Sequence, residues 1–359
     1  MRWGVGAGDA GGMSLRIAPV SVDDPASVEA WVQVLDEVRV HEFPHFPRVT
    51  RRAGEAMLRH LFPARGIEHH VAWLDGEPVG RLETSWMTEE NLRVLFFTLE
   101  VVPRSRRRGV GRALYGRVLE CAGEQGRTVL LTGSSLSMEG LPAPDEAPVG
   151  FAAALGFAST LPEVQRRLVV ADIDENVLAG MAAAARDRSA GYRVVQWRDG
   201  APAELAERVA YLDSRLISDA PMGDMQVEPE KPDVARMRQT EAVLAGRGRR
   251  LYHTGAVHED TGDLVAWTTI STGAETPGHA WQQITIVDPK HRGHRLGALV
   301  KVANLHFFRA AEPEVTVIDT FNAAENSFMI SINEQMGFRR IAAFQNWQRE
   351  LGDSTEPAA

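Results

Sequence analysis

Cysteine is nearly absent from the sequence, because Cys121 is the only one among 359 residues. One cysteine excludes an internal disulfide framework and any zinc site built on cysteines, and it favours a reducing compartment such as the cytoplasm. Cys121 lies in an apolar pattern of helical spacing, which is typical of a small core residue. We therefore expect a structural thiol there rather than a nucleophile.

Long apolar runs are also missing, since no segment reaches the ~18 to 20 apolar residues of a membrane span. Residues 1–12, MRWGVGAGDAGG, lack the apolar segment of a signal peptide. We expect them to form a disordered extension, which is absent if synthesis starts at Met13. The sequence predicts no membrane segment.

The third absence is an excess of positive charge. The formal net charge is -9, whereas wrapping nucleic acid or lying on an anionic membrane requires a basic face. Only three lysines accompany the many arginines, which is typical of GC-rich bacterial coding sequences. No cluster of His, Asp and Glu has metal-ligand spacing, so no metal is expected.

The chain contains an internal repeat. Residues 99–122 match residues 285–308 at a constant offset of 186 positions, which places Gly111 over Gly297. A chain of this length has room for two ordinary domains. The repeat therefore predicts two copies of one structural unit.

Each copy carries the same order of elements around this match. A strand and an amphipathic helix open the copy, a β-hairpin precedes the match, and a short helix ending in Gly-Phe follows it. We expect an α/β fold whose copies pair about a pseudo-twofold axis in a monomer, or a homodimer. The predicted hairpins are 67–87 and 249–271, and the predicted organisation is a disordered extension at 1–12, a first domain at 13–172, a helical linker at 173–190, a second domain at 191–351 and a tail at 352–359.

A glycine-rich turn links a strand to a helix in each copy, as SRRRGVG at 105–111 and HRGHRLG at 291–297. The first amides of a helix lack intrahelical partners and the helix dipole adds positive charge, so the turn suits a phosphate or pyrophosphate. A Walker A loop would require GK[ST], and the dinucleotide fingerprint would require a third glycine where Leu114 stands. The candidate ligand-binding residues are Arg106, Arg107, Arg108, Gly109, Val110, Gly111 and Arg112 in the first copy, and Arg292, Gly293, His294, Arg295, Leu296 and Gly297 in the second.

The pattern Arg-x-x-Gly-x-Gly after a strand, followed by a helix and a Gly-Phe helix end, resembles the GNAT family of acyl-CoA-dependent N-acetyltransferases. The resemblance occurs twice, over 13–172 and 191–351, and this tandem arrangement is similar to that of mycothiol synthase. It implies a twisted, mostly antiparallel mixed sheet flanked by helices in each domain, acetyl-CoA with its pyrophosphate on the turn, and an amine acceptor. It also implies that two strands splay apart near Val101 and Val102 or near Val287, where a backbone amide meets the thioester carbonyl.

The first copy departs from the GNAT pattern beyond its turn. It keeps Gly109 and Gly111, but Asp145 stands where the family usually has an asparagine that contacts the cofactor. Ala152 stands where a tyrosine often protonates the leaving thiolate. A carboxylate is unfavourable beside a polyanion. We therefore expect the first copy still to bind CoA, as a second site, but not to be the chemical site.

The second copy departs differently. Arg295 replaces the middle glycine of the turn, and we expect its backbone to stay in the right-handed region with the side chain pointing outward. Asn326 matches the family's asparagine, and Asn322 is interpreted as a second cofactor contact one helical turn earlier on the same face. Asn333 occupies the tyrosine position, where it cannot serve as an acid. Asn322, Asn326 and the uninterrupted final helix favour the second copy as the chemical site.

A general base is not evident from the sequence. Leu95 and Trp281 occupy the positions where many family members have a carboxylate. The candidates that remain are Gln283 holding a water, His253 on the second hairpin, Asn333, or a side chain from a loop. Most strand histidines are structural, so the catalytic residues stay open.

The loop after the first helix of each copy is expected to shape the amine pocket. His41 and His45 of the first loop could orient or deprotonate an amine, and the alternative is that they are surface or turn residues. Asp219 and Asp224 belong to the second loop, SDAPMGDMQVEPEKPD. This acidic loop suits a cationic substrate unless it is a solvated charge run.

The sequence therefore predicts a cytoplasmic tandem enzyme that transfers acetyl from acetyl-CoA to a small-molecule amine. Two alternatives stay open. An open groove would favour a protein or peptide N-acetyltransferase. The missing tyrosine and carboxylate suggest a non-catalytic acyl-CoA sensor.

Overall fold

The two predicted hairpins form around turns whose residues suit them. Asp75 and Gly76 both have positive φ, 53° and 86°, as a two-residue type I′ turn requires to match the twist of its strands. The computed structural model describes residues 14–352. The first half consists of β1 (Leu15–Pro19), α1 (Pro25–Glu42), α2 (Arg51–Arg59), β2 (Arg65–Leu74), β3 (Glu77–Met87), β4 (Val94–Val101), α3 (Val110–Glu124), β5 (Val129–Ser135), α4 (Ala147–Ala154) and β6 (Ala158–Val169).

The second half repeats this order after a connecting helix. It consists of α5 (Glu175–Arg186), β7 (Tyr192–Arg198), α6 (Ala206–Ser214), α7 (Leu216–Asp219), α8 (Val234–Gly246), β8 (Arg249–His258), β9 (Leu264–Gly273), β10 (His279–Val287), α9 (Leu296–Ala311), β11 (Val317–Ala323), α10 (Ser327–Met336) and β12 (Arg339–Glu350). The α/β class and the tandem order agree with the prediction.

Two helices were not predicted from the sequence. Helix α2 begins after Thr50, whose side chain accepts a hydrogen bond from the Ala53 amide. Helix α8 begins after Asp233, whose side chain accepts from the Arg236 amide. Both caps satisfy an amide that a helix start would otherwise leave unpaired. No element was predicted for either segment.

The halves exchange their last strands. The twelve strands within residues 14–352 form one sheet in the order β1-β2-β3-β4-β5-β12-β6-β11-β10-β9-β8-β7. The C-terminal strand β12 pairs antiparallel with β5 of the first half, and β6 pairs antiparallel with β11 of the second. Accordingly, Trp347 packs in the first-half core and Leu168 in the second-half core. Each half completes the other, so the pseudo-twofold pairing lies within one chain.

The connecting helix α5 belongs to the second-half core rather than to an exposed linker. Leu178 is fully buried in the same cluster as Val302 and Phe308 of α9. Asp174 caps the helix by accepting from the Asn176 and Val177 amides. The helix therefore packs the connection between the two halves against α9 of the second half.

A pair of parallel strands opens into a fork in each half. Strands β4 and β5 pair over three positions, ending at Phe96 and Leu131. Strands β10 and β11 also pair over three positions, ending at Trp281 and Asp319. Beyond these points the strands diverge. We call these openings the first fork and the second fork.

The predicted extension at 1–12 and nearly all of the predicted tail lie outside the described residues, which include only Gly352 of that tail. None of the helices between residues 14 and 352 combines the length and apolar character that crossing a membrane requires.

Candidate active site

Both glycine turns contain two residues with a left-handed backbone, at equivalent positions. In the first turn these are Arg107 and Gly109, with φ of 62° and 83°, and in the second they are Gly293 and Arg295, with φ of 88° and 54°. The expectation that Arg295 keeps a right-handed backbone is therefore wrong. The path of the turn requires positive φ at this position, whichever residue occupies it.

The helices that follow the turns begin with free amide donors. Helix α3 starts at Val110 and α9 at Leu296, and neither has a side-chain hydrogen bond at its N-cap. Val110 and Leu296 point their side chains into the core, which leaves their backbones at the turn. This arrangement fits an anion such as a pyrophosphate. Exposed side chains around the turns belong to Arg107, Arg108, Arg112, Arg292, His294 and Arg295.

The first turn holds its leading arginine in internal ion pairs. Arg106 contacts both Glu42 and Asp145, and its Nε donates to the Val101 carbonyl at 3.1 Å. His41 Nε2 lies 2.9 Å from the Asp145 carboxylate. Burial raises the pKa of Glu42, and the hydrogen bond from the Ala147 amide, followed by the one from His41, lowers the pKa of Asp145. Two carboxylates therefore compete with any phosphate for Arg106.

The second turn leaves its arginine more available. Arg292 is half exposed and forms one longer ion pair, 3.3 Å, with Asp219. Asp219 also binds Arg215 at 2.6 Å, so the structure places it beside the second glycine turn. His294 packs its ring against Tyr192, with centroids 5.3 Å apart. A phosphate could engage Arg292 without displacing a tight ion pair.

The two forks differ in their strand pairing. At the second fork β10 contains a bulge, because Gln282 pairs with Ile270 and Thr285 with Thr268. Gln283 and Ile284 therefore lie opposite one residue of β9, which leaves a backbone amide without a ladder partner. Val287, where the sequence analysis expected a donor, is in regular register with Ala266.

The first fork has no such irregularity. Strand β4 pairs with β3 continuously from Phe96 to Val101. On the side of β4 that faces α3, Phe97 packs against Tyr115 of α3 and against Phe157. The three rings form an aromatic core with centroids 5.8 to 6.2 Å apart. The Phe151 ring lies 3.3 Å from the position of a Cβ at Gly111. Aromatic side chains thus fill the space between the first fork and its helices.

Polar side chains occupy the matching space at the second fork. Aligning the two halves by the repeat and by strand register pairs polar residues of the second fork with equivalent residues of the first. These pairs are Gln282 and Phe97, Lys301 and Tyr115, Asn333 and Ala152, Asn322 and Ser134, and Arg166 and Trp347. The Thr320 hydroxyl donates to the Gln282 carbonyl at 3.1 Å, and Asn333 Nδ2 donates to Asn322 Oδ1 at 2.8 Å. The residues that we call the polar cluster are Arg166, Gln282, Lys301, Thr320, Asn322 and Asn333.

Several atoms of the polar cluster lack hydrogen-bond partners. Among the described residues, Asn333 Oδ1 and Arg166 Nε and Nη1 are buried without one, although Arg166 Nε lies 3.7 Å from a Glu334 carboxylate oxygen. Buried polar atoms are normally satisfied. Orphaned donors and acceptors behind the second fork therefore fit a polar ligand, such as the amide-bearing arm of CoA.

Lys301 was not identified from the sequence. Its side chain is 1% exposed and its Nζ lies 5.7 Å from the Phe338 ring centroid. Burial lowers its pKa to about 7, since a buried ammonium loses its hydration. The available signal was the repeat itself, because Lys301 aligns with Tyr115 on the core face of the helix.

Asn322 and Asn326 are not arranged as the sequence suggested. Asn322 lies on strand β11 and not on a helix, so its placement one helical turn before Asn326 is wrong. Asn326 is the N-cap of α10, and its side chain accepts from the Met329 amide at 3.2 Å. Asn322 lies on β11 of the second fork and accepts a hydrogen bond from Asn333. Asn326 caps the start of α10.

A large cavity lies on the other face of the sheet, between the two halves. Its volume is about 1340 Å³, and residues of α1, α2, α6, α8 and strands of both halves line it. One wall is aromatic, with Trp281 and Phe321 stacked at 5.7 Å and Phe46 and Phe344 at 6.0 Å. Gln283 opens into this cavity from the bulge. The second fork therefore connects the polar cluster on one face with the cavity on the other.

His253 lines the cavity but is fully engaged. Its Nε2 donates to the Asp199 carbonyl at 2.9 Å, so Nδ1 is the acceptor, and Trp267 Nε1 donates to it at 3.1 Å. Trp197 stacks on the ring at 5.1 Å. Burial lowers the pKa of His253 to about 4, so the imidazole is neutral and its lone pair is occupied.

Asp213 is a cavity carboxylate that the sequence analysis missed. It lies on α6, one turn after Val209, where it lines the cavity and is exposed to it. Burial, and secondarily the charge of Glu230, raises its pKa to about 6. The signal was its spacing, because Asp213 follows Val209 by four positions on the core-facing side of α6.

The remaining predicted residues lie elsewhere. His45 is half-buried, and its backbone carbonyl accepts from Arg167 at 2.7 Å. Asp224 is exposed on the loop that crosses to the first half, where Glu228 exchanges hydrogen bonds with Asn91. No group of three or more metal-ligating side chains occurs within residues 14–352.

Comparison with known proteins accounts for the forks and turns. Residues 31–137 match the Acetyltransferase (GNAT) family. The solved structure of a tandem GNAT protein from the clavulanic acid biosynthesis pathway, without AcCoA, is 32% identical. The match covers 95% of this chain and 100% of that one, with a TM-score of 0.81. The chain belongs to the GNAT acetyltransferase family. Its tandem arrangement is shared with that structure.

More distant structures share the GNAT fold. A GCN5-related N-acetyltransferase from Sphaerobacter thermophilus is 13% identical, with a TM-score of 0.61 over 94% of this chain and 95% of that chain. A glucosamine N-acetyltransferase region of a fungal multi-domain β-N-acetylglucosaminidase is also 13% identical, with a TM-score of 0.67 over 94% of this chain and 38% of that one. No curated protein sequence matches the chain. As a GNAT protein, the chain has the fold of an acyltransferase.

Proposed function

We propose that this GNAT protein transfers acetyl from acetyl-CoA to a small-molecule amine, in the cytoplasm, with the second fork as the chemical site. The difference between the forks carries the proposal. The first fork is regular and packed with aromatic rings on its helix side, whereas the second has a bulge and orphaned polar atoms. The second fork therefore offers a polar reactant both polar partners and a backbone amide outside the strand ladder.

The residues present fit CoA at the second turn. Backbone amides from Gly293 to Gly297 would bind the pyrophosphate, with Arg292 as a charged contact. Asn322 and Asn333 would bind the amide-bearing arm behind the fork. Acetyl-CoA supplies the acetyl thioester. The unpaired amide at Gln283 or Ile284 would donate a hydrogen bond to negative charge on the acyl oxygen.

The first turn is proposed as a second, weaker CoA site. Its free helix amides suit a pyrophosphate as well as those of the second turn do. However, Glu42 and Asp145 hold Arg106 and place negative charge beside the site. A phosphate would have to displace these carboxylates, which lowers its affinity.

The cavity is proposed as the acceptor site, with Asp213 as the general base. An amine must lose a proton before it attacks, and a carboxylate with a pKa near 6 is ionised at pH 7 yet still basic. Gln283 would position the amine at the bulge, while His253 keeps the Trp267 wall in place. The cavity lies between the halves rather than on an open strand edge, which supports a small-molecule acceptor over a protein one.

Single-turnover release of CoA thiol, measured with a panel of small amines, tests the proposed function. We expect at least one amine to accelerate thiol release well above the rate with water alone. Tight acetyl-CoA binding without acceleration by any amine, alongside acceleration by peptide N-termini, would assign the acceptor to proteins. Binding without acceleration by either class would make the protein an acyl-CoA sensor and end the proposal.

A further inference from the structure

Arg249 places a guanidinium in the cavity next to the bulge. It is the first residue of β8, paired across the sheet with Gly273. Its Nη2 donates to the Ser271 hydroxyl, and Gln283 Nε2 donates to the same oxygen at 3.0 Å. Because Ser271 Oγ accepts from both neighbours, its own proton is free to be donated. One serine therefore links Arg249 to the bulge residue.

The charge of Arg249 is not balanced by the protein. Burial, and secondarily the neighbouring Arg250, lowers its pKa. No carboxylate among the described residues forms an ion pair with it, whereas two other arginines that line the cavity are paired, Arg81 with Glu100 and Arg236 with Glu90. A half-buried cation without a counterion is unfavourable. Its position suits an anionic ligand.

Two other arginines of the cavity form no ion pair, of which Arg65 is exposed at the start of β2 and Arg247 is already engaged. Arg247 donates to the His60 carbonyl at 2.7 Å, and its guanidinium stacks over Phe62 at 4.4 Å. Arg249 has no such stacking contact or carbonyl partner among the described residues, and most of its five N–H donors stay open. A planar guanidinium matches a carboxylate with two parallel hydrogen bonds. The single arginine neutralises one negative charge and the serine hydroxyl adds one hydrogen bond. Together they fit a carboxylate better than a phosphate dianion.

We infer that the acceptor amine also carries a carboxylate, which Arg249 and Ser271 bind at the edge of the bulge. This inference rests on the proposed function and extends it to the class of substrate. Since Ser271 contacts both Arg249 and Gln283, the carboxylate and the reacting amine lie only a few bonds apart. Asp213 would hold the ammonium end, and the wall of Trp281 and Phe321 would pack on the apolar body.

Binding of phenylacetate and of phenylacetamide tests this site without any turnover. The two probes share a ring and differ in charge, and ligand-observed NMR titration reports both affinities. We expect the wild-type protein to bind phenylacetate about tenfold more tightly, which a charge-assisted pair supplies. Arg249→Gln should abolish this preference. Arg250→Gln is the matched control, because Arg250 pairs with Glu312 outside the cavity.

A wild-type protein without a preference for phenylacetate, including one that binds neither probe, overturns the inference. So does an Arg249→Gln variant that keeps the preference. Neither outcome depends on acetyl transfer, so the carboxylate site and the proposed function can fail separately. Once an acceptor is known, Arg249→Gln should raise KM for carboxylate-bearing amines with little change in kcat.

Discussion

Arg295 takes the left-handed backbone conformation that Gly109 takes at the equivalent point of the other turn, with φ of 54° against 83°. The same exchange recurs two residues earlier, at Arg107 and Gly293. Each turn therefore needs a left-handed backbone at two positions and has glycine at only one of them. An L-residue other than glycine in this region costs about 1 to 2 kcal/mol, so both turns are strained at an arginine.

Relief of this strain gives the first prediction. Arg295→Gly should raise the free energy of unfolding by about 1 kcal/mol or less, because the gain at positive φ exceeds the entropy that glycine adds to the unfolded chain. Urea denaturation measures it. Arg295→Ala is the control, since it removes the exposed side chain but keeps the strained backbone. Equal stability of the two variants would show that the backbone is not strained there.

The Arg295 variants also report on the cofactor. If the arginine side chain contacts a phosphate, both variants should weaken acetyl-CoA binding to the same extent. If only the backbone binds, Arg295→Gly should bind at least as well as the wild type. Isothermal titration distinguishes the two cases.

Lys301 gives a prediction about pH. Its pKa is about 7 in the folded protein and 10.5 without burial, so the unfolded chain binds more protons between these values. The free energy of unfolding should therefore rise with pH from about 7 to 10.5, and the full penalty applies below pH 7. Lys301→Met should remove this slope and stabilise the protein at neutral pH by on the order of 4 kcal/mol.

Chemical denaturation at several pH values checks the Lys301 prediction. Lys290→Met is the control, because Lys290 is exposed and its removal should leave the slope unchanged. A slope that survives in Lys301→Met would assign it to another group.

Asp213 gives a prediction about catalysis. A general base must be ionised, so kcat/KM should rise with pH through about 6, the pKa of Asp213. Asp213→Asn should lose this limb and about 100-fold or more in rate. Glu230→Gln should move the limb to lower pH, since Glu230 raises the pKa of Asp213.

A pH profile that Asp213→Asn leaves intact would remove Asp213 from the mechanism. Unchanged position of the limb in Glu230→Gln would show that the limb belongs to another group.

Local patterns in the sequence were sufficient to predict the turns, hairpins and helix ends. The Asp75-Gly76 turn and the helix starts at Val110 and Leu296 depend on neighbouring residues only. The strand exchange was not predictable, because β12 has the same alternating pattern whether it joins its own half or the other. Its partner is chosen by packing of Trp347 in the first-half core, which is a long-range contact.

The site was predictable in part for the same reason. The glycine turns were found from the repeat, and the family's asparagine position led to Asn326. Arg249 and Asp213 were missed because sheet register and helix packing bring them to the cavity. The left-handed backbone of Arg295 was not predicted, because the path of the turn imposes it although the residue is not glycine.

The location of the chemistry in the second fork is tested most directly by titration of acetyl-CoA into matched turn variants. Gly297→Val and Gly111→Val place the same bulk at equivalent points of the two turns, and thermal unfolding confirms that each variant is folded. The wild-type titration should show two binding phases, a tighter one at the second turn and a weaker one at the first. We expect Gly297→Val to abolish the tighter phase and Gly111→Val to keep it. Loss of the tighter phase in Gly111→Val alone, or its survival in both variants, would contradict the account.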